Sequence, residues 1–373
     1  MAERKNMTND EYWFWLCNIE EIWQQDIKRL FTVFNSPEEI FNAPAKLISD
    51  SKKLSAVQVK NLIDSRKDLA SLNKLGSLEK DHIRFIHKDS SEYPDRFKCI
   101  PDAPYSFYLK GRLPDPDSAS VGIVGARACS GYGRETTLEF SAKLAEYGIQ
   151  IVSGMAHGID ACSAQGALRA GGNPFAVLGS GVDVIYPREN TELYYQILLS
   201  GGIISEYPPG TPPVAWQFPH RNRLIAGLSD VLLVMEARKR SGTLITANYA
   251  LEQGKEIFAL PGRIDDPLST GCNSLIADGA GILLDPLQII EHIQNAPAAL
   301  LEHSGKENTL QNIDLPDPIY KKVLACTGRY AKGAQQLMQE SRCSPEETSA
   351  ALTWLQLNGL IEEISTDYYI KTI

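Results

Sequence analysis

The chain has 373 residues, which is room for about two or three domains, each with its own core. Its 37 basic and 46 acidic residues give a net charge of -9, which excludes nucleic-acid binding through overall positive charge, so an anionic ligand must meet a local basic cluster. The seven cysteines form no CxxC pair, which predicts reduced thiols and no zinc site. No apolar run reaches about 18 residues, and we expect a soluble, cytoplasmic protein with no membrane partner.

The first part of the chain predicts two different kinds of structure. Residues 1–80 carry apolar residues at helical spacing, interrupted by stretches in which Ser or Asp can start a helix, and this pattern predicts a small bundle of short helices. Residues 81–118 are rich in proline and contain short apolar runs at 83–86 and 107–109. This second stretch indicates a strand-bearing connector.

Residues 119–295 alternate apolar, often β-branched runs with helical segments. The apolar runs are ASVGIVG, IQIVSG, PFAVLG, GIISE, DVLLVME, EIFALPG and GILLD. Continuous apolar strands separated by helices are what a parallel sheet covered on both faces requires. The sequence therefore predicts an α/β domain with a doubly wound parallel sheet of the extended Rossmann-like kind.

The last part of the chain predicts a linker and a small domain. Residues 296–315 are polar and contain proline, and residues 316–373 read as three helices followed by a hairpin, the order of a winged helix. The third of these helices, 345–358, has Ser344 as its expected N-cap and contains no Lys or Arg. Because a helix in the major groove needs cationic donors, we interpret this one as a protein-contact face.

The basic residues of the α/β domain are concentrated where a ligand would bind. Ligands of open α/β sheets bind beyond the carboxyl ends of the strands. Of the twelve basic residues between 121 and 290, eight follow a strand end: Arg127, Arg188, Arg221, Arg223, Arg238, Lys239, Arg240 and Arg263. The pattern favours a positive rim on an otherwise acidic domain over the alternative, a set of solvated loop charges.

Two glycine-rich loops indicate phosphate binding rather than a dinucleotide site. Gly131 and Gly133 begin a G-x-G-x-x-G pattern, but Thr136 stands at its third glycine, so no NAD and no other cofactor is predicted. Ser130 is the expected N-cap of the next helix, and the loop 240–243 opens another helix in the same way. Two helix amino termini beside a row of arginines predict a phosphate track.

Two further groups of residues leave alternatives open. His157 and Asp160 could be a catalytic pair, but no nucleophile motif accompanies them, and a His in a glycine-rich loop is more often structural. Tyr186, Trp216 and Phe218 lie beside the basic residues, where exposed rings could stack on the bases of a single strand. Packing in the core is the alternative for these three rings.

Several long motifs, taken together, resemble one known family. They are VGIVGARACSGYG, SGMAHGIDACSAQGAL, GSGVDVIYPREN, SEYPPGTPPVAWQFPHRNRLIAGLSD, RSGTLITANYALEQGKEIFALPG and STGCNSLIADGA. In them the chain resembles the DNA-processing protein A family, also called DprA or Smf. The resemblance implies a bacterial, cytoplasmic homodimer that binds single-stranded DNA and loads the RecA recombinase during natural transformation, without catalysis. It also implies a sterile-alpha-motif-like domain over 1–80 and a winged helix over 316–373.

The resemblance also assigns site residues. The family's glycine-serine-arginine turn falls on Gly125-Ala126-Arg127, with Ala in place of the usual Ser, and the family's arginine-asparagine-arginine motif falls on 221–223. With the basic residue of YPREN and the loop 240–243, the candidate DNA-binding residues are Arg127, Arg188, Arg221, Asn222, Arg223, Arg240, Ser241, Gly242 and Thr243.

Three alternatives stand beside this assignment. Arg221 and Arg223 could instead be structural partners of acids such as Glu206 or Asp230. A nucleotide-processing enzyme, similar to the LOG phosphoribohydrolases, would need a proline-glycine-glycine-x-glycine-threonine loop where this chain has 239–243, Lys-Arg-Ser-Gly-Thr. A sequence-specific transcription factor would need a basic recognition helix, which 345–358 is not.

Overall fold

Residues 7–67, 70–295, 318–327, 332–365 and 367–371 are described by the computed structural model. They belong to two units, Met1–Ser304 and Gly305–Ile373. Within the described residues, no helix is long and apolar enough to cross a membrane.

The described residues of the amino-terminal region form six short helices, as the sequence predicted. They are α1 (Asn9–Cys17), α2 (Gln24–Leu30), α3 (Pro37–Asn42), α4 (Ala45–Asp50), α5 (Ala56–Ser65) and α6 (Ala70–Leu78). Thr8, Ser36 and Ser55 cap three of them through their hydroxyl groups. The buried indole rings of Trp13 and Trp15 lie in the core of this region.

A nine-stranded sheet forms the centre of the larger unit. Its strands are β1 (Ile83–His87), β2 (Ser106–Gly111), β3 (Ser120–Val124), β4 (Gln150–Ser153), β5 (Pro174–Val177), β6 (Gly202–Ser205), β7 (Val231–Val234), β8 (Glu256–Ala259) and β9 (Gly281–Ile282). Their order across the sheet is β1-β2-β6-β5-β4-β3-β7-β8-β9. The seven runs predicted as strands are β3 to β9, and their pairings with one another are all parallel.

The stretch 81–118 does more than connect two regions. Its two strands pair with each other, and β2 pairs antiparallel with β6, so both belong to the same sheet as the parallel strands. Without them β6 would be an open edge with unpaired backbone groups, which explains why the sheet extends across this stretch.

Helices cover both faces of this sheet and position the loops at its edge. In β7, Leu232 and Val234 pack against α11 (Gln217–Leu228) and its neighbours, while Val231 and Leu233 pack against α8 (Gly131–Glu146) on the other face. The other helices of this part are α7 (Asp95–Lys98), α9 (Ile159–Arg169), α10 (Thr191–Ser200), α12 (Gly242–Glu252), α13 (Thr270–Ala277) and α14 (Pro286–Asn295). Because β3 lies between β4 and β7, the strand order reverses at β3. Doubly wound sheets bind ligands beyond the carboxyl ends of the strands at such a reversal.

The described residues of the smaller unit form three helices, a hairpin and one additional short strand. Its elements are α15 (Pro318–Cys326), β10 (Lys332–Gly333), α16 (Ala334–Ser341), α17 (Pro345–Leu357), β11 (Ile361–Ser365) and β12 (Tyr368–Lys371). Ser344 and Glu347 form the expected capping box at α17. The helices and hairpin follow the predicted order, and β10 pairs with β12, which the sequence had not indicated. The assignment as a winged helix stays a prediction.

Candidate nucleic-acid interface

Six basic side chains are exposed beyond the carboxyl ends of the parallel strands. Arg127 follows β3, Arg188 lies in a 3-10 turn after β5, residues 238–240 follow β7, and Arg263 follows β8. We call these six residues the basic rim. Asp265 binds Arg263 at 3.0 Å, whereas in the described parts of the chain no carboxylate forms an ion pair with the other five. These five cations are therefore available to an external anion.

Arg127 lies over an aromatic cluster. Its guanidinium carbon is 5.4 Å from the centre of the Phe218 ring, in cation–π contact, and the rings of Phe218 and Tyr186 are 5.6 Å apart. Tyr186 is exposed, whereas Phe218 is half-buried and close to Gly179. Both alternatives considered from the sequence, core packing and an exposed stacking surface, therefore occur here. Phe218 packs against the protein, whereas Tyr186 exposes its ring beside the Arg127 cation.

Arg221 is buried beneath the rim, with only 4% of its surface exposed. It donates hydrogen bonds to the backbone oxygens of Gly154, at 3.0 Å, and Val177, and so connects the ends of β4 and β5. A Cβ at position 154 would lie 2.5 Å from its Nη2 atom, which is why a glycine is needed there. Burial lowers the pKa of Arg221 to about 10, although the Asp160 carboxylate opposes this shift.

Arg223 is also buried, with 2% exposed, and binds the Glu206 carboxylate through both terminal nitrogens, at 2.5 and 2.6 Å. Its Nε atom donates to the Asp102 carboxylate at 3.3 Å. These carboxylates outweigh burial and raise the pKa of Arg223 above its ordinary value. Of the two acids considered from the sequence, Glu206 is thus its partner, while Asp230 binds Arg96 at 2.9 Å. The contact of Arg221 and Arg223 with phosphates stays a prediction.

The amino end of α8 already holds an anion that belongs to the protein. Ser130 caps the helix as expected and accepts a hydrogen bond from the backbone of Gly133 at 3.0 Å. The carboxylate of Glu236, two residues after β7, accepts hydrogen bonds from the Ser130 backbone at 3.0 Å and from the Ser130 hydroxyl at 2.5 Å. A Cβ at Gly133 would lie 2.4 Å from the Glu236 Cδ atom. The Glu236 carboxylate therefore occupies the helix amino end at which the sequence analysis expected a phosphate. The sequence feature that could have indicated this is an acidic residue directly after an apolar run.

The amino end of α12 is more open. The Ser241 hydroxyl accepts a hydrogen bond from the Thr243 backbone at 3.1 Å, Gly242 is exposed, and Thr243 is buried. The Asn222 side-chain amide donates to the Gly242 oxygen at 3.5 Å, so α11 contacts this turn. Since Arg240 precedes the turn and is exposed, the turn offers a cation and a helix amino terminus together.

Of the two alternatives for His157 and Asp160, the catalytic pair does not form. Half of the His157 side chain is exposed, and its Nε2 atom is 3.7 Å from Glu189, while Asp160 is buried and accepts a hydrogen bond from the Ala156 backbone at 3.3 Å. Burial raises the pKa of Asp160, against the effect of Arg221. Across the described residues, no group of three or more His, Cys, Asp or Glu side chains could hold a metal ion.

Comparison with known proteins gives matches over most of the chain. The family model of DNA recombination-mediator protein A matches residues 84–294. Protein Smf of Synechocystis is 32% identical over 96% of this chain and 98% of its own length. Protein Smf of Escherichia coli is 34% identical over 97% of this chain and 96% of its own length.

Two solved structures are also similar. The X-ray structure of DNA processing protein A from Streptococcus pneumoniae aligns with a TM-score of 0.64 and 32% identity, over 77% of this chain and 98% of that chain. DNA processing protein A from Helicobacter pylori, whose structure is described for its single-stranded DNA binding mode, aligns with a TM-score of 0.52 and 29% identity, over 57% of this chain and 97% of that chain.

Proposed function

The chain belongs to the DNA recombination-mediator protein A family, and from that membership we propose that it binds single-stranded DNA along its basic rim. The observation that carries the proposal is the row of five exposed cations that have no ion-pair partner among the described residues, beside the ring of Tyr186, on a protein whose net charge is -9. Cations hold the phosphates, and exposed rings stack on bases, which is how single strands are bound without sequence preference.

We propose two roles for the candidate residues. Arg127, Arg188 and Arg240 contact phosphates directly, because they are exposed, and the turn 241–243 with Asn222 offers further polar groups to the strand. Arg221 and Arg223 support the site from beneath, because their donors bind backbone oxygens and carboxylates of the protein.

The first test compares single and double strands. We expect an oligonucleotide of about 20 thymines, labelled with a fluorophore, to bind more tightly than a duplex of the same length at the same salt concentration. The physical reason is that unstacked bases can reach the rings while duplex bases cannot. Fluorescence anisotropy at several salt concentrations measures both affinities. Equal or tighter binding to the duplex would contradict the proposal.

We further propose that the protein is a cytoplasmic homodimer that loads the RecA recombinase onto single strands during natural transformation. The support is the family, whose model is described as a recombination mediator. Sedimentation tests the dimer. The rate at which RecA assembles on a strand coated with single-strand-binding protein, with and without this protein, tests the loading.

The rival proposal of a nucleotide-processing enzyme is less well supported, because the loop after β7 lacks the expected glycines and His157 does not pair with Asp160. Release of a free base from a nucleoside monophosphate would support it.

A further inference from the structure

Two tryptophan side chains meet on the surface where the amino-terminal helices approach the sheet. The Trp23 ring, at the start of α2, and the Trp216 ring, at the start of α11, have centres 5.7 Å apart and planes at 85°. Each of the two residues is 52% exposed. We call these two rings the tryptophan pair. An edge-to-face contact leaves ring surface of each indole open to a further flat group.

The backbone beneath both rings is fixed. The Trp23 backbone amide donates to the Asp26 carboxylate at 3.1 Å, and Asp26 also binds Gln58 at 2.9 Å. On the other side, the Gln217 side chain accepts a hydrogen bond from the Val214 backbone at 2.7 Å. The Tyr207 ring lies 6.0 Å from Trp216 and is buried. The rings are therefore held in place while remaining exposed, which lowers the entropy cost of binding a ligand there.

The indole N–H groups distinguish this pair from the core tryptophans. Trp13 donates its indole N–H to Asp89 at 2.7 Å, and Trp15 donates to Ser65 at 2.9 Å. Neither Trp23 nor Trp216 has a hydrogen-bond acceptor for its indole N–H among the described residues. The pair thus offers two ring surfaces and two free donors.

The position of the pair favours a nucleic-acid base as its occupant. Trp216 and Phe218 both lie at the amino end of α11, and the Phe218 ring contacts Arg127 of the basic rim, so the pair lies at the same end of this helix as the proposed interface. The carboxylates Glu20 and Glu21 precede Trp23 in the sequence, so a phosphate is not the group expected over its ring. Resting on the function proposed above, we infer that the tryptophan pair stacks on bases of the bound single strand, and that Trp23 extends the DNA path onto the amino-terminal helical region.

A set of four variants tests this inference. Trp23→Ala and Trp216→Ala each remove one ring, and Trp23→Phe keeps an aromatic face. The control is Tyr147→Ala, which removes an exposed ring beside Lys143. Tyr147 follows the carboxyl end of α8, away from the basic rim. We expect each Trp→Ala variant to lose about fivefold to a hundredfold in affinity for a thymine oligonucleotide. We expect Trp23→Phe to retain most of the affinity and Tyr147→Ala to bind as the unmodified protein does.

Two readouts separate stacking from general damage. The slope of log affinity against log salt should be unchanged in Trp23→Ala, because a ring releases no counterions. On a strand whose bases are removed and whose sugar-phosphate backbone remains, Trp23→Ala should bind as tightly as the unmodified protein. A loss on that strand equal to the loss on thymines would overturn the inference.

The remaining outcomes also decide it. If the unmodified protein binds no single strand, the proposed function fails and this inference fails with it. If the unmodified protein binds and Trp23→Ala binds equally well, only this inference fails. Normal DNA affinity together with a change from dimer to monomer in sedimentation would overturn it as well, and would assign the pair to contact with a second copy of the chain.

Discussion

Arg127 and Arg223 were both candidates for phosphate contact, but one is exposed and the other is buried, so their substitution should have different effects. Arg127→Ala removes an exposed cation, so we expect a normal melting temperature, weaker binding to every sequence, and a salt slope reduced by about 0.7. Arg223→Ala leaves the buried Glu206 carboxylate without its cation, which costs about 3–5 kcal/mol of stability, so we expect a melting temperature lower by several degrees. Thermal melting and salt-dependent titration measure both effects. An Arg223→Ala protein of normal stability with a reduced salt slope would instead place Arg223 on the DNA.

His220 should make stability depend on pH. Burial, followed by the charge of Arg223, lowers the pKa of His220, although Glu206 and Asp102 oppose this shift. The unfolded chain therefore binds a proton more readily, and the free energy of unfolding should decrease as the pH falls below about 6.5 toward the lower folded-state value. Urea unfolding at pH 7.5 and 5.5 measures this, and His220→Asn should reduce the difference. An equal pH dependence in both proteins would assign it to other groups.

At the scale of elements, substituting the N-caps of α8 and α12 should have opposite effects, one mainly on the free energy of unfolding and the other mainly on single-strand affinity. Ser130→Ala removes the cap of α8 and a hydrogen bond to the buried Glu236, so it should cost more than the roughly 0.5–2 kcal/mol of a lost cap. Ser241→Ala removes only the cap of α12. It should cost less stability but more single-strand affinity, because this turn is open to the strand. Urea unfolding and anisotropy measure the two effects, and the same ranking of the two variants in both measurements would contradict this assignment.

The sequence predicts those elements that depend on residues close together in the chain. The strands β3 to β9 are apolar runs, and the caps Ser130 and Ser344 precede helices at the expected spacing. The direction of the arginine side chains could not be predicted in the same way, because their partners are distant in sequence: Arg223 binds an acid 17 residues away, and Arg221 binds a carbonyl 67 residues away. The addition of β1 and β2 to the sheet likewise depends on a distant edge, that of β6.

For the whole molecule, the candidate DNA-binding groups belong to one of the two units, and the other unit carries more acidic than basic residues. The basic rim, the tryptophan pair and the nine-stranded sheet all belong to Met1–Ser304. The stretch 311–373 carries six basic against eight acidic residues, and α17 contains no Lys or Arg. A strand with one negative charge per phosphate gains little from such a surface.

Deleting residues 311–373 should therefore leave most of the single-strand affinity intact. The hydrophobic clusters that cover the sheet lie within the remaining unit, so the shortened protein should fold, which circular dichroism and thermal melting can verify. We expect its affinity for a thymine oligonucleotide to stay within about tenfold of that of the full chain, a difference of about 1.4 kcal/mol. Sedimentation has to accompany the titration, because cooperative binding would also weaken if the deletion separated a dimer. A larger loss in a folded protein of unchanged oligomeric state would show that the smaller unit binds the strand directly, and that its contacts do not depend on positive charge in α17.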